Sequence, residues 1–146
     1  MSLTYSLQTA RDLYSKLGRD AAALEGVVNA DHAFNFLVTA YHLAEWVSKD
    51  PSLPPDVNNR MNDAKNDVAF RLCADLANAS KHFVQNAKAD AKKTVVTQGY
   101  GVGRYGAGPY GVGEESITIT KADASNVNLL ELRDQIMNLY AAVFDA

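Results

Sequence analysis

Residues 30–49 read ADHAFNFLVTAYHLAEWVSK, and this stretch decides the fold. Phe34, Leu37, Val38, Tyr41 and Ala44 recur at helical spacing and make one apolar stripe. Phe36, Ala40, Leu43 and Val47 make a second stripe beside it. A helix that is apolar around most of its circumference belongs in the middle of a helical protein. Asn29 precedes it as a natural N-cap, and it stops at Lys49-Asp50. The stretch PSLPP (51–55) then holds three of the four prolines and makes a stiff connection.

Upstream, Leu3, Leu7, Ala10, Leu13, Leu17, Ala21 and Leu24 repeat every three or four residues and predict an amphipathic helix over 3–26, with a break allowed at Gly18. Downstream, residues 56–89 predict a third helical region, broken near Asn66, with Val68, Leu72, Leu76, Ala79 and Phe83 on one face. KKTVVTQ (92–98) and ESITITK (115–121) are rich in β-branched residues and predict the two strands of a hairpin. A last helix is expected from about Asn128, where Asn128 and Glu131 have capping-box spacing and Val127 can staple Leu132. The expected architecture is an all-α bundle of four to five helices in one domain, 1–146, with a β-hairpin inserted at 92–121.

Between those strands lies GYGVGRYGAGPYGVG (99–113), three copies of Tyr-Gly-x-Gly holding seven of the nine glycines. Each glycine costs a helix about 1 kcal/mol relative to alanine, so the segment is a loop. Its chemistry lies in the faces of Tyr100, Tyr105 and Tyr110, the guanidinium of Arg104 and the approachable backbone. Aromatic and arginine faces of this kind stack on nucleic-acid bases. The tyrosines are expected to project beyond the hairpin, with at least two rings packed on the bundle or a second subunit.

Composition narrows the options. With 47% hydrophobic and 21% charged residues the chain is an ordinary globular domain. A net charge of -3 and a pI near 5.5 argue against broad non-specific nucleic-acid binding, though not against a local basic patch. The single Cys73 excludes an intramolecular disulfide and a cysteine zinc cluster. No run of about 20 apolar residues occurs, so a cytoplasmic protein without a membrane partner is expected.

Some polar residues do not fit a plain bundle. His42 stands inside the apolar helix, with Glu45 and Trp46 on the same face. Arg71, Asp75, Asn78 and His82, spaced 4, 3 and 4, form a polar stripe on the later helix, with Lys81 beside it. His42 is expected to approach His82 across the two helices, with Asn78 near both. Neither HExxH nor paired-histidine spacing is present, so no metal and no cofactor is assigned. Metal-independent phosphodiester chemistry needs less: a histidine for proton transfer, a cation for the phosphate and an orienting amide.

The segment ANASKHF (77–83) resembles the motif of HEPN-type proteins, which is Arg-Asn, three residues, then His on a helix. Asn78 and His82 match, while the arginine position holds Ala77. AYHLAEWV (40–47) is similar to the early helix of many such small bacterial or phage proteins. The resemblance covers about half of the chain. It implies a homodimeric helical bundle from a defence or toxin system, with RNA or a nucleotide as ligand at the dimer cleft. It carries His82 and Asn78 over as site residues, with Lys81 or Arg71 supplying the missing positive charge, and the phase of His42 on its own helix adds that histidine to the expected site. The expected function is therefore HEPN-like RNA or nucleotide handling, extending to a degenerate metal-independent ribonuclease. The alternative is a non-catalytic factor that sequesters a small nucleotide or a protein partner with Tyr100, Arg104, Tyr105 and Tyr110, in defence or counter-defence.

Overall fold

A computed structural model describes residues 4–82, 91–97 and 116–145. Among them are five helices and three strands: α1 (Ala10–Gly26), α2 (Ala30–Lys49), α3 (Pro55–Ala64), α4 (Val68–His82), β1 (Ala91–Thr97), β2 (Ser116–Lys121), β3 (Asn126–Asn128) and α5 (Leu129–Asp145). The expected bundle with its hairpin is what is observed, and the segment 98–115, with the Gly/Tyr repeat, lies outside the described residues.

The first helix starts later than its apolar repeat suggests. Thr9 is extended (φ -126, ψ 163) and its hydroxyl accepts from the Asp12 N–H, while the Asp12 carboxylate accepts from the N–H of Thr9. This reciprocal cap satisfies backbone donors that a longer helix would have used itself. Leu7 closes a turn on Thr4 instead, and Tyr5 sits at φ 61. Past the cap α1 runs unbroken through Gly18.

The central helix keeps its expected bounds, with Asn29 accepting from the His32 N–H at 2.8 Å. Its buried side is Ala33, Phe36, Leu37, Ala40, Leu43, Ala44 and Val47. Phe34 is a correction: it was expected in the buried stripe but is 52% exposed. Val38 and Tyr41 are half-buried. The helix packs against α1, α4 and α5, and its fully buried Phe36 and Leu43 side chains each contribute about 1.5–3 kcal/mol.

Tyr140 of α5 is fully buried and donates its hydroxyl to the carbonyl of Ala40. Tyr14 stacks on Phe144 with centroids 4.5 Å apart, fixing α5 against α1. The Nη1 of Arg133 bridges the same pair, donating to Glu25 at 2.9 Å and to the Ala21 carbonyl at 3.3 Å.

The helical break near Asn66 falls between α3 and α4, where Asp67 caps α4 by accepting from the Ala69 N–H at 2.8 Å. The sheet is antiparallel in the order β1-β2-β3. Residue 96 pairs with Ile117 and residue 94 with Ile119 in the backbone register, and the two isoleucines are buried as their alternation predicts. The third strand has no counterpart in the sequence reading. Asn126–Asn128 pairs Val127 with Ile119 and leads directly into α5, where Asn128 Oδ1 accepts from the Leu130 N–H at 2.9 Å.

Candidate functional site

The site is built on the packing of α2 against α4. The Cys73 thiol donates to the Leu37 carbonyl at 3.3 Å, and the rings of Tyr41 and Phe70 lie 6.4 Å apart. Positions rising along α2 thus meet positions falling along α4, so the helices are antiparallel. This register bears on the level at which His42 sits. His42 lies level with about residue 70, and residue 82 follows some twelve positions later, about 18 Å along α4 at 1.5 Å per residue. Residue 82 therefore stands at the far end of α4 from the level of His42, and the approach of the two imidazoles lies outside the described residues. The side chains of Lys81 and His82 lie outside the described residues, as do Tyr100, Arg104, Tyr105 and Tyr110.

The remaining predicted residues divide. Asn78 is half-buried on the same end of α4 as residue 82. The Asp75 carboxylate accepts from the Ala91 N–H at 3.1 Å and so ties α4 to the start of β1. His42 and Arg71, in contrast, come together. Both line a concavity of roughly 550 Å³ whose other walls include Tyr41, Glu45, Lys65 and Phe70. His42 and Arg71 are exposed, Tyr41 and Lys65 half-buried, and Phe70 buried.

Chemically the concavity combines aromatic walls with positive charge. The Tyr41 ring lies 6.0 Å from His42, tilted by 44°. Lys65 stands in the turn before α4, and Arg71 stands one turn into the helix. Neither cation is ion-paired among the described residues, whereas Glu45 is joined to Lys49 at 2.7 Å. Tyr41, Lys65 and Phe70 were missed as site residues. Tyr41 falls in the apolar stripe of the central helix, and neither Phe70 nor Lys65 belongs to a motif or stripe that would single it out.

The arginine position of the HEPN motif points elsewhere. Ala77 is 5% exposed and lines an apolar depression with Phe34, Val38 and Leu76. A long cationic side chain at 77 would start from this apolar wall rather than from the polar stripe of Arg71 and Asn78.

On the opposite side of α4 a wider groove of roughly 1070 Å³ runs between α3, α5 and the sheet. Its rim mixes Arg60 and Lys121 with Asp63 and Asp67, and Arg60 Nε is committed to the Val143 carbonyl at 2.9 Å. No group of three or more His, Cys, Asp or Glu side chains suited to a metal occurs among the described residues. Cys73 is no nucleophile, because it is fully buried and burial pushes its thiol pKa far up. Among the described residues no helix is long and apolar enough to cross a membrane. No family model, no curated protein and no solved structure matches the chain significantly.

Proposed function

We propose that this protein handles RNA or a small nucleotide, as its likeness to HEPN-type proteins implies, and that it does so on the α2–α4 face. The observation that carries this reading is the concavity in which His42, Lys65 and Arg71 share walls with Tyr41 and Phe70. Bases stack on aromatic and guanidinium faces at about 1–3 kcal/mol each, and phosphates take the adjacent cations. Roughly 550 Å³ falls within the ~300–1,000 Å³ typical of small-molecule sites.

Within this function, binding without turnover is favoured over ribonuclease action. The motif's arginine position holds Ala77 on an apolar wall, so the cation that accompanies the histidine in the HEPN motif is not supplied from that place. The resemblance further implies a cytoplasmic homodimer, which light scattering on the purified chain checks directly.

A thermal-shift screen of nucleotides and short RNAs tests the reading, since a ligand of the folded state raises apparent stability by mass action. A shift with nucleotides that is lost in Arg71→Gln, with no product formed on RNA, is expected. Metal-independent RNA cleavage abolished by His82→Ala would instead establish the catalytic form. No shift and no cleavage would refute both.

A further inference from the structure

We propose that the groove between α3, α5 and the sheet docks a basic amphipathic helix of a partner protein. This interaction surface lies across α4 from the concavity of His42 and Arg71 and does not depend on the nucleotide reading. Its floor is apolar: Ala64, Val127 and Leu139 are half-buried, while Val68 and Ala142 are exposed. Val68, the first residue of α4, leaves 52% of its surface in water. An open apolar floor inside a polar rim is the anatomy of a docking surface.

The charges of the rim decide what fits. Both cations are answered within the chain. Arg60 donates to the Val143 carbonyl at 2.9 Å, in the last turn of α5, where the helix dipole is negative. The Asp123 carboxyl is held low first by the Ser125 hydroxyl and N–H and then by the charge of Lys121, so Lys121 has its counter-charge nearby. Asp63 and Asp67, exposed along the wall where α3 turns into α4, are left over. Among the described residues the Asp63 carboxylate has no partner, and that of Asp67 accepts only the Ala69 N–H. Lys65, between them in sequence, lines the concavity on the other face. The facing wall is uncharged, with Gln135, Asn138 and Ala142 at spacings of three and four along α5. The complement is an apolar stripe flanked on one side by lysine or arginine.

Length and shape favour a helix. From Gln135 to Ala142 the α5 wall runs about 10 Å, or two helical turns. That matches the i, i+3 or i+4, i+7 anchors with which a helix fills a groove. Strand addition has little to pair with, because β3 beside the groove is only three residues long.

The test is fluorescence polarisation of the full chain with two labelled, stapled three-turn helices. Both carry leucine at i, i+3 and i+7; one has lysines along one flank, and its twin has glutamates there. The lysine helix is expected to bind saturably, about tenfold more tightly than its twin at low ionic strength, with the gap narrowing as salt screens the rim. The double change Asp63→Asn and Asp67→Asn should remove that preference, and asparagine at 67 keeps an amide oxygen to cap α4. Ala142→Arg, at an exposed position on the α5 wall, should weaken the lysine helix at least tenfold, with circular dichroism confirming the fold. Equal binding of the twins, or no binding of the lysine helix, overturns the proposal. A dimer in light scattering that Ala142→Arg dissolves would give the groove to a second copy of this chain and overturn it as well.

Discussion

Asp50, the residue that ends α2, accepts a hydrogen bond at 2.8 Å from the backbone N–H of Ala10, the first residue of α1. One residue thus closes the C-terminal end of the central helix, its backbone N–H donating to the Trp46 carbonyl at 2.9 Å, and caps the N-terminal end of the neighbouring helix with its carboxylate. Its other oxygen accepts from the Ser52 hydroxyl and N–H, so the connection through Pro51 is held to the same point.

Asp50→Ala should destabilise the fold by about 0.5–2 kcal/mol, the range for losing a helix N-cap. The bonds from Ser52 first, then Ala10, hold the Asp50 carboxyl below its ordinary 3.8. Asp12 is lowered too, by the backbone N–H of Gln8 and then of Thr9. A depressed carboxylate stabilises fully above its unfolded pKa, and that stability is lost as pH falls through the folded value. Urea midpoints should therefore be level near neutrality and fall below about pH 4, with a shallower acid fall in Asp50→Ala. An unchanged acid slope would remove this cap from the account.

Gly18→Ala should stabilise by about 0.5–1 kcal/mol. The residue lies inside α1, a Cβ placed there meets nothing within 4 Å, and alanine restricts the unfolded chain. A urea melt that moves downward would mean that position 18 meets a surface outside the described residues.

Cys73 should resist thiol reagents in the native protein and react only as fast as the chain opens. Its sulfur is fully buried and bonded to the Leu37 carbonyl, and burial raises its pKa, which suppresses the reactive thiolate. Ellman titration with and without denaturant measures this. Rapid native labelling would contradict the α2–α4 packing.

Leu43→Ala should cost about 2–5 kcal/mol through transfer and cavity terms. Phe34→Ala on the same helix should cost far less, because half of that ring is already in water. Equal costs would mean that Phe34 is covered in solution.

These two residues show how far the sequence could be read. The periodicity of 30–49 is strong enough to place a central helix, and Asn29 marks its start because an amide side chain can take the free N–H of His32. A helix apolar nearly all round does not reveal which edge leaves the core, so Phe34 was misplaced. The alternation of Ile117 and Ile119 made the hairpin legible, whereas Asn126–Asn128 is too short to carry a period. Apolar spacing ran past the start of α1 because the reciprocal bonds of Thr9 and Asp12, not hydrophobicity, end the helix there.

The same holds for the candidate site. Phase on a helix brought out His42 and Arg71, since each sits beside a buried stripe. The level at which two helices meet is a tertiary property. Sequence spacing alone therefore did not reveal that the register of Leu37 with Cys73 puts His42 at the level of Phe70 and Arg71. Lys65 joins them only because the turn between α3 and α4 delivers it there.

The most direct test of the account is an amide NMR titration of the uniformly labelled protein with guanosine 5′-monophosphate. Saturable shifts concentrated at Tyr41, His42, Glu45, Lys65 and Arg71, and absent in Arg71→Gln, are the predicted result. Shifts centred instead on Arg60, Gln135 and Asn138 in the groove across α4, or no saturable shifts at all, would contradict a nucleotide site between α2 and α4.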